Sequence, residues 1–93
     1  MKQDASLDEL VSVIQSAADD KKLLKEFLLD LLTPQELEEI PQRWQIIKLL
    51  ARGIPQQSIA KSLGIGVATV TRGSREMKND QGGFRVMLRK LKI

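Results

Sequence analysis

Neither histidine nor cysteine occurs among the 93 residues. Thiolate nucleophiles, disulfides, zinc-finger sites and imidazole acid–base catalysis are therefore excluded. No paired-acid constellation replaces them, so the chain reads as a binding protein and not an enzyme, with no metal ligand set. What it offers instead are guanidinium groups set among threonines and glycines. Thr69, Thr71, Arg72 and Arg75 fall within the short run ATVTRGSREMK. Arginine presents a planar fork of donors matched to carboxylate or phosphate. Threonine adds a hydroxyl and a methyl group suited to base edges. Residues of these types are suited to holding anions.

The elements that position them read directly from the pattern. Pro55 to Lys78 is two short helices joined by Gly64-Ile65-Gly66, with Ile59, Leu63, Ile65 and Val70 spaced to form one small core. Ala60 leaves room for a close crossing, and glycine tolerates the positive φ that a sharp inter-helix turn needs. This is a helix-turn-helix pattern, whose second helix enters the DNA major groove. On that reading Val67, Ala68 and Thr71 face base edges, and Arg75 and Lys78 meet phosphate or a neighbouring base. Gln56, Gln57 and Ser58 open the first helix, where free backbone N–H groups suit phosphate oxygens. The plainer alternative makes all of these the wet side of a hairpin and a simple cap.

Charge supports the first reading. The net charge is only +3. Residues 1–40 hold four lysines against ten acids, whereas residues 41–93 hold eleven bases against Glu76 and Asp80. A basic half coinciding with the helix-turn-helix points to a polyanion. Three aromatic residues (Phe27, Trp44 and Phe84) leave an aliphatic core, which suits packed helices in a single domain spanning 1–93. No apolar run approaches the roughly 20 residues of a membrane span. The N-terminus MKQDASLDEL lacks the apolar core of a signal peptide, so the expected location is cytoplasmic.

In chain order, residues 1–5 are expected to fray, and Asp4 or Ser6 to cap a helix from near Leu7 carrying Leu10, Val11 and Ile14. Asp19-Asp20 breaks it, and a second helix follows with Leu24, Phe27, Leu28, Leu31 and Leu32 on a broad apolar face. Two such helices alone would leave that face wet, so it needs later helices or a second chain. Thr33, Pro34 and Glu36 form a capping box with proline at the first helical position. That helix is expected to stop at Pro41, which suits the first turn of a new helix bearing Trp44, Ile46, Ile47, Leu49 and Leu50, closed by Gly53. Trp44 is most simply a core residue beside Ile47. A last helix spans 84–93, with Phe84, Met87, Leu88 and Leu91 on one side. The fold class is all-α: six helices and no strand.

The run LLTPQELEEIPQRWQIIKLLARG, followed by LGIGVATVTRGSREMK, resembles the bacterial tryptophan repressor family. The L-T-P-x-E segment, the R-x-x-I-x-x-L-L-x-x-G helix and A-T-V-T-R-G-S match in order, covering about Leu31 to Lys78. The resemblance implies an intertwined homodimer that binds a double-stranded DNA operator, with L-tryptophan as corepressor in a pocket beside the recognition helix. By position, Arg72 matches the arginine that grips the ligand carboxylate, and Arg43 the one that packs over the indole. Thr33 and Leu32 match pocket residues supplied by the partner, and Thr69 and Gly73 match the wall on the recognition helix. A glycine inside a helix costs about 1 kcal/mol relative to alanine, which a flat ligand lying against Gly73 would account for. Three departures stand out: Glu76 where a small hydroxyl residue is typical, Asp30 where an apolar one is, and a shorter loop between Gly53 and Gln56.

The leading expectation is thus a DNA-binding transcriptional repressor controlled by an amino acid. A ligand-independent DNA binder of the same fold is its near rival. A helical protein-interaction module, pairing through the leucine-rich N-terminal half, is the rival from another class. The charge split and the Thr-Arg-Gly-Ser segment argue against the module.

Overall fold

The computed structural model describes residues 3–93, and among them six helices and no strand. In chain order these are α1 (Gln3–Ser16), α2 (Lys21–Leu31), α3 (Pro34–Ala51), α4 (Gln56–Leu63), α5 (Val67–Glu76) and α6 (Gly83–Leu91). The chain divides into two compact units, with the boundary between Leu37 and Glu38.

In the first unit α1 already includes Gln3, so Asp4 and Ser6 lie inside the helix instead of capping it. Of the residues expected to fray, 1 and 2 lie outside the described residues and 3–5 are helical. The Asp20 carboxylate does cap α2, accepting the Leu23 N–H at 3.1 Å. Thr33 and Glu36 form the expected reciprocal box: Thr33 N–H donates to Glu36 Oε1 at 2.9 Å and Glu36 N–H to Thr33 Oγ1 at 3.1 Å. Apolar burial in this unit is slight. Ala17 is buried, whereas α2 buries none of its residues fully. On the apolar face expected of α2, Leu24, Phe27, Leu28 and Leu32 are half-buried and Leu31 is exposed, while Leu7, Val11, Leu23 and Leu29 are exposed elsewhere on the two helices, Leu7 at 58% and Leu29 at 51%.

α3 runs unbroken through Pro41 for 18 residues, so the expected stop and restart there does not occur. The segments read from the sequence number seven when those on either side of Pro41 are taken separately; joined as one helix they give the expected six. Pro34 occupies the first helical position, where a missing N–H loses nothing. Pro41 sits in the interior, where a proline forfeits one hydrogen bond and costs about 3 kcal/mol. Packing offsets that cost: Ile46 and Ile47 are 2% and 1% exposed, and burying each such side chain contributes about 1.5–3 kcal/mol.

The second unit is built on those two isoleucines. Ile46 joins Ile59, Ala60 and Val70 in one buried cluster, ringed by Leu49, Leu50, Leu63 and Ile65. This is the small core expected of the helix-turn-helix, with α3 added beneath it. Gly64 ends α4 in the left-handed region at φ 68°, and the Ile65 N–H returns to the Ala60 carbonyl at 3.0 Å. Gly53 closes α3 in the same conformation, at φ 80°. Ile47 joins Met77 and Leu88 in a second cluster with Trp44, Leu50 and Phe84 around it. The Trp44 and Phe84 rings lie 6.5 Å apart, tilted by 35°. α6 is shorter than expected and buries only Leu88; Met87 and Leu91, expected to pack, are exposed. Two arginines tie α6 back to the preceding segment: Arg85 Nε donates to the Met77 carbonyl at 2.8 Å, and Arg89 Nη2 to the Asp80 carbonyl at 2.9 Å.

Pro41→Ala is expected to stabilise the protein by about 1–3 kcal/mol, since it restores the hydrogen bond to Leu37 within an existing helix. A higher midpoint in thermal denaturation checks this. An unchanged or lower midpoint would mean that the proline serves the packing of α3.

Candidate nucleic-acid interface and ligand cleft

α5 presents three faces. Val70 points inward and is wholly buried, and Met77, just past the helix end, joins it inside. Val67, Thr71, Arg75 and, beyond the end, Lys78 recur at intervals of three or four and share a second stripe. Thr69, Arg72, Gly73 and Glu76 share a third. Each stripe has its own surroundings.

The second stripe carries the expected DNA contacts. Val67, Ala68, Arg75 and Lys78 are exposed, Val67 at 46%. Thr71 is half-buried, and its hydroxyl is placed to donate to Gln56 Oε1 at 2.7 Å or to the Val67 carbonyl at 3.0 Å. That bond links the start of α4 to the middle of α5, so Gln56 and Thr71 support each other as well as facing the surface. Gln57 and Ser58 are exposed. The N-caps of α4 and α5 are Pro55 and Gly66, and neither supplies a side-chain hydrogen bond. In the first turn of α5 the Thr69 N–H donates to the Gly66 carbonyl at 3.2 Å; no side-chain cap takes up the other first-turn N–H groups of the two helices, and the helix dipole there favours an anion.

The third stripe lines a cleft of about 440 Å³ within the second unit, bounded by Glu39, Gln42, Arg43, Ile46, Ile47, Thr69, Arg72, Gly73, Glu76 and Phe84. This volume lies in the range of small-ligand sites. Its floor is apolar, formed by Ile46, Ile47, Gly73 and Phe84, and its rim carries Arg43 and Arg72 with Glu39 and Glu76. Among the described residues neither guanidinium is taken up by an ion pair. Both arginines are exposed, so their donors are open to a ligand anion. No cluster of acidic side chains among the described residues is placed to hold a metal ion, and no helix there is long and apolar enough to cross a membrane.

Five of the seven residues expected at a ligand site thus line one cleft: Arg43, Thr69, Arg72, Gly73 and Glu76. Thr33 and Leu32 belong to the first unit and do not line it. Glu39, Gln42, Ile46, Ile47 and Phe84 were not expected there. Four of these have a signal in the sequence, because 39, 42, 43, 46 and 47 follow helical spacing on α3. A supposed break at Pro41 hides that face. Phe84, from a separate helix, has no such signal.

Gly73 has a reason of its own. A Cβ built on it would lie 3.0 Å from Ile46 Cγ2, 3.6 Å from Ile47 Cδ1 and 3.7 Å from Leu50 Cδ1. The close approach of α5 to α3 therefore accounts for the glycine without any ligand against it.

The model of the Trp repressor protein family matches residues 5–92 of the chain. A Trp operon repressor homolog of Vibrio campbellii is 40% identical over 73 residues, covering 76% of this chain and 71% of that protein. One from Vibrio parahaemolyticus is 40% identical over the same length, covering 76% and 69%. One from Aliivibrio salmonicida is 39% identical over 72 residues, covering 76% and 66%. No solved structure matches the chain significantly.

Gly73→Ala is expected to lose stability, although alanine gains about 1 kcal/mol in an ordinary helix interior. Ile46 is buried on all sides and has little room to move, and overpacking of this kind costs about 1–3 kcal/mol. Chemical denaturation of the two proteins decides the sign; a stabilised variant would mean that α5 stands off freely.

Proposed function

The chain belongs to the Trp repressor protein family and is a DNA-binding transcriptional repressor; we propose that it acts as a homodimer on a palindromic operator, with an aromatic amino acid, L-tryptophan in the first instance, as corepressor. The observation that carries this reading is the division of α5. One stripe faces outward with Val67, Thr71 and Arg75, and the neighbouring stripe walls a cleft with Thr69, Arg72, Gly73 and Glu76. A ligand in that cleft lies against the helix that enters DNA, so its occupancy biases the pose of the helix directly.

In this reading Arg72 takes the ligand carboxylate through its bidentate fork and Arg43 stacks over the ring, with Ile46, Ile47 and Phe84 beneath. Thr33 and Leu32 reach the cleft from the second copy. The exposed leucines and valines of α1 and α2 are what that copy covers, and both units work as one functional domain, as the family match across both supports. On DNA, Val67, Ala68 and Thr71 meet base edges, Arg75 and Lys78 meet phosphate or a neighbouring base, and the openings of α4 and α5, with Gln56 and Gln57, hold phosphates. Half-sites about one helical turn apart follow from the two-fold symmetry. Action on chromosomal DNA places the protein in the cytoplasm.

Calorimetric titration with L-tryptophan is expected to give micromolar to sub-millimolar binding, weakened at least tenfold in Arg72→Ala, since a hydrogen bond to a charged group contributes about 1.5–3 kcal/mol. Operator fragments selected from a random DNA pool are expected to bind with a log–log salt slope of about −0.9 per phosphate neutralised. Normal DNA affinity without any tryptophan binding would establish the ligand-independent repressor instead. A flat salt response from a folded dimer would remove the DNA reading.

A further inference from the structure

α5 ends differently from the two helices before it. α3 and α4 close on Gly53 and Gly64, both in the left-handed region. α5 closes on Met77 in the right-handed region, at φ −71° and ψ −14°. The chain then leaves through tight turns, with the Lys78 N–H donating to the Arg75 carbonyl at 3.1 Å and the Asn79 N–H to the Glu76 carbonyl at 3.4 Å. No left-handed glycine sets its direction there. We infer that Arg85 and Arg89 of α6 set it instead, as positioning residues that hold Lys78 in place for a DNA phosphate. This inference rests on the DNA-contact reading of Lys78 above and deepens it.

Arg85 Nε donates to the Met77 carbonyl at 2.8 Å, and Arg89 Nη2 to the Asp80 carbonyl at 2.9 Å. The two arginines stand four apart on α6 and so share a face. Lys78 lies between the two carbonyls they hold, in a short loop fastened on both sides. Carbonyls at a helix end lack partners in their own helix, and charged donors bond to them more strongly than neutral ones. α6 is itself anchored, because Leu88 is buried with Ile47 and Met77, and Phe84 packs against that cluster. Ile47 belongs to α3, the helix that α5 also meets at Gly73. The two ties therefore hold the end of the recognition helix to the same frame as its middle.

A loose Lys78 would still be drawn to DNA, but fixing its segment on binding costs backbone and side-chain entropy. A segment already held in place avoids part of that cost. The arginines thus contribute to DNA affinity without touching DNA.

The test is a double-mutant cycle, read by the salt dependence of binding to the operator fragments selected as above. Lys78→Ala is expected to lose one phosphate contact. The log–log slope then becomes shallower by about 0.9, and binding roughly eightfold weaker at about 0.1 M salt, relative to a reference at about 1 M. Arg85→Leu is expected to lose most of the same increment, and nothing further in the Lys78→Ala background. Losses that add across the two sites would mean that Arg85 meets DNA itself, and wild-type binding by Arg85→Leu that it positions nothing; either overturns the inference. Weaker binding with an unchanged slope and a lowered thermal midpoint would make the tie purely structural, and overturns it too. If Arg85→Leu does not fold, Arg89→Leu, a change at an exposed residue, is held to the same criteria. A wild-type slope in Lys78→Ala would remove Lys78 from the DNA contacts, and this inference with it, leaving the repressor standing.

Discussion

At Gly73 the backbone of α5 approaches α3 so closely that a single methyl group there would sit 3.0 Å from Ile46 Cγ2. This crossing sets the position of the recognition helix. Ile46 leads into the cluster with Ile59, Ala60 and Val70, and its neighbour Ile47 leads into the cluster with Met77 and Leu88. Two adjacent residues of one helix thus anchor both hydrophobic clusters. Close-packed interiors transmit small displacements instead of absorbing them, so whatever shifts α5 at this point shifts the helix as a body.

The consequence is a division of labour around one ten-residue helix. Its inward face is committed to packing, which fixes the directions of the other two. The outward stripe begins beside the glycine turn, where the helix start carries no side-chain cap. The remaining stripe looks onto a cleft whose floor is made by the same isoleucines that hold the helix in place. In the reading proposed above, ligand contact and helix anchoring share atoms, a physical route from occupancy to the pose of the helix that needs no longer chain of coupled residues. The thread from Gln56 to Thr71 adds a tie between α4 and α5, so the two helices move together.

The N-terminal unit contrasts with this. Its helices are well begun, by Asp20 for α2 and by the Thr33–Glu36 box for α3, yet they bury little of their apolar surface. Caps direct where a helix starts and contribute about 1 kcal/mol each; they do not substitute for a core. Leucines exposed on both helices amount to an apolar face awaiting cover, which a second copy provides in the dimer proposed above.

Local rules determined a good deal from the sequence alone. The capping box, the glycine ends of α3 and α4 and the small core of the helix-turn-helix all follow from short-range spacing, and the spacing acts through hydrogen bonds and side-chain directions within a turn or two. The family resemblance, not the spacing, singled out the five cleft residues Arg43, Thr69, Arg72, Gly73 and Glu76. The tertiary structure decided the rest. Pro41 reads as a stop because a proline costs its own turn a hydrogen bond, and the burial that outweighs it comes from residues distant in the chain, Ile59, Val70 and Leu88. Gly73 reads as a gap for a ligand, whereas its neighbour is Ile46, twenty-seven residues earlier. Phe84 enters the cleft from α6 by the same long-range packing. A sequence states which side chains share a face; only the packing of faces against each other says what each of them meets.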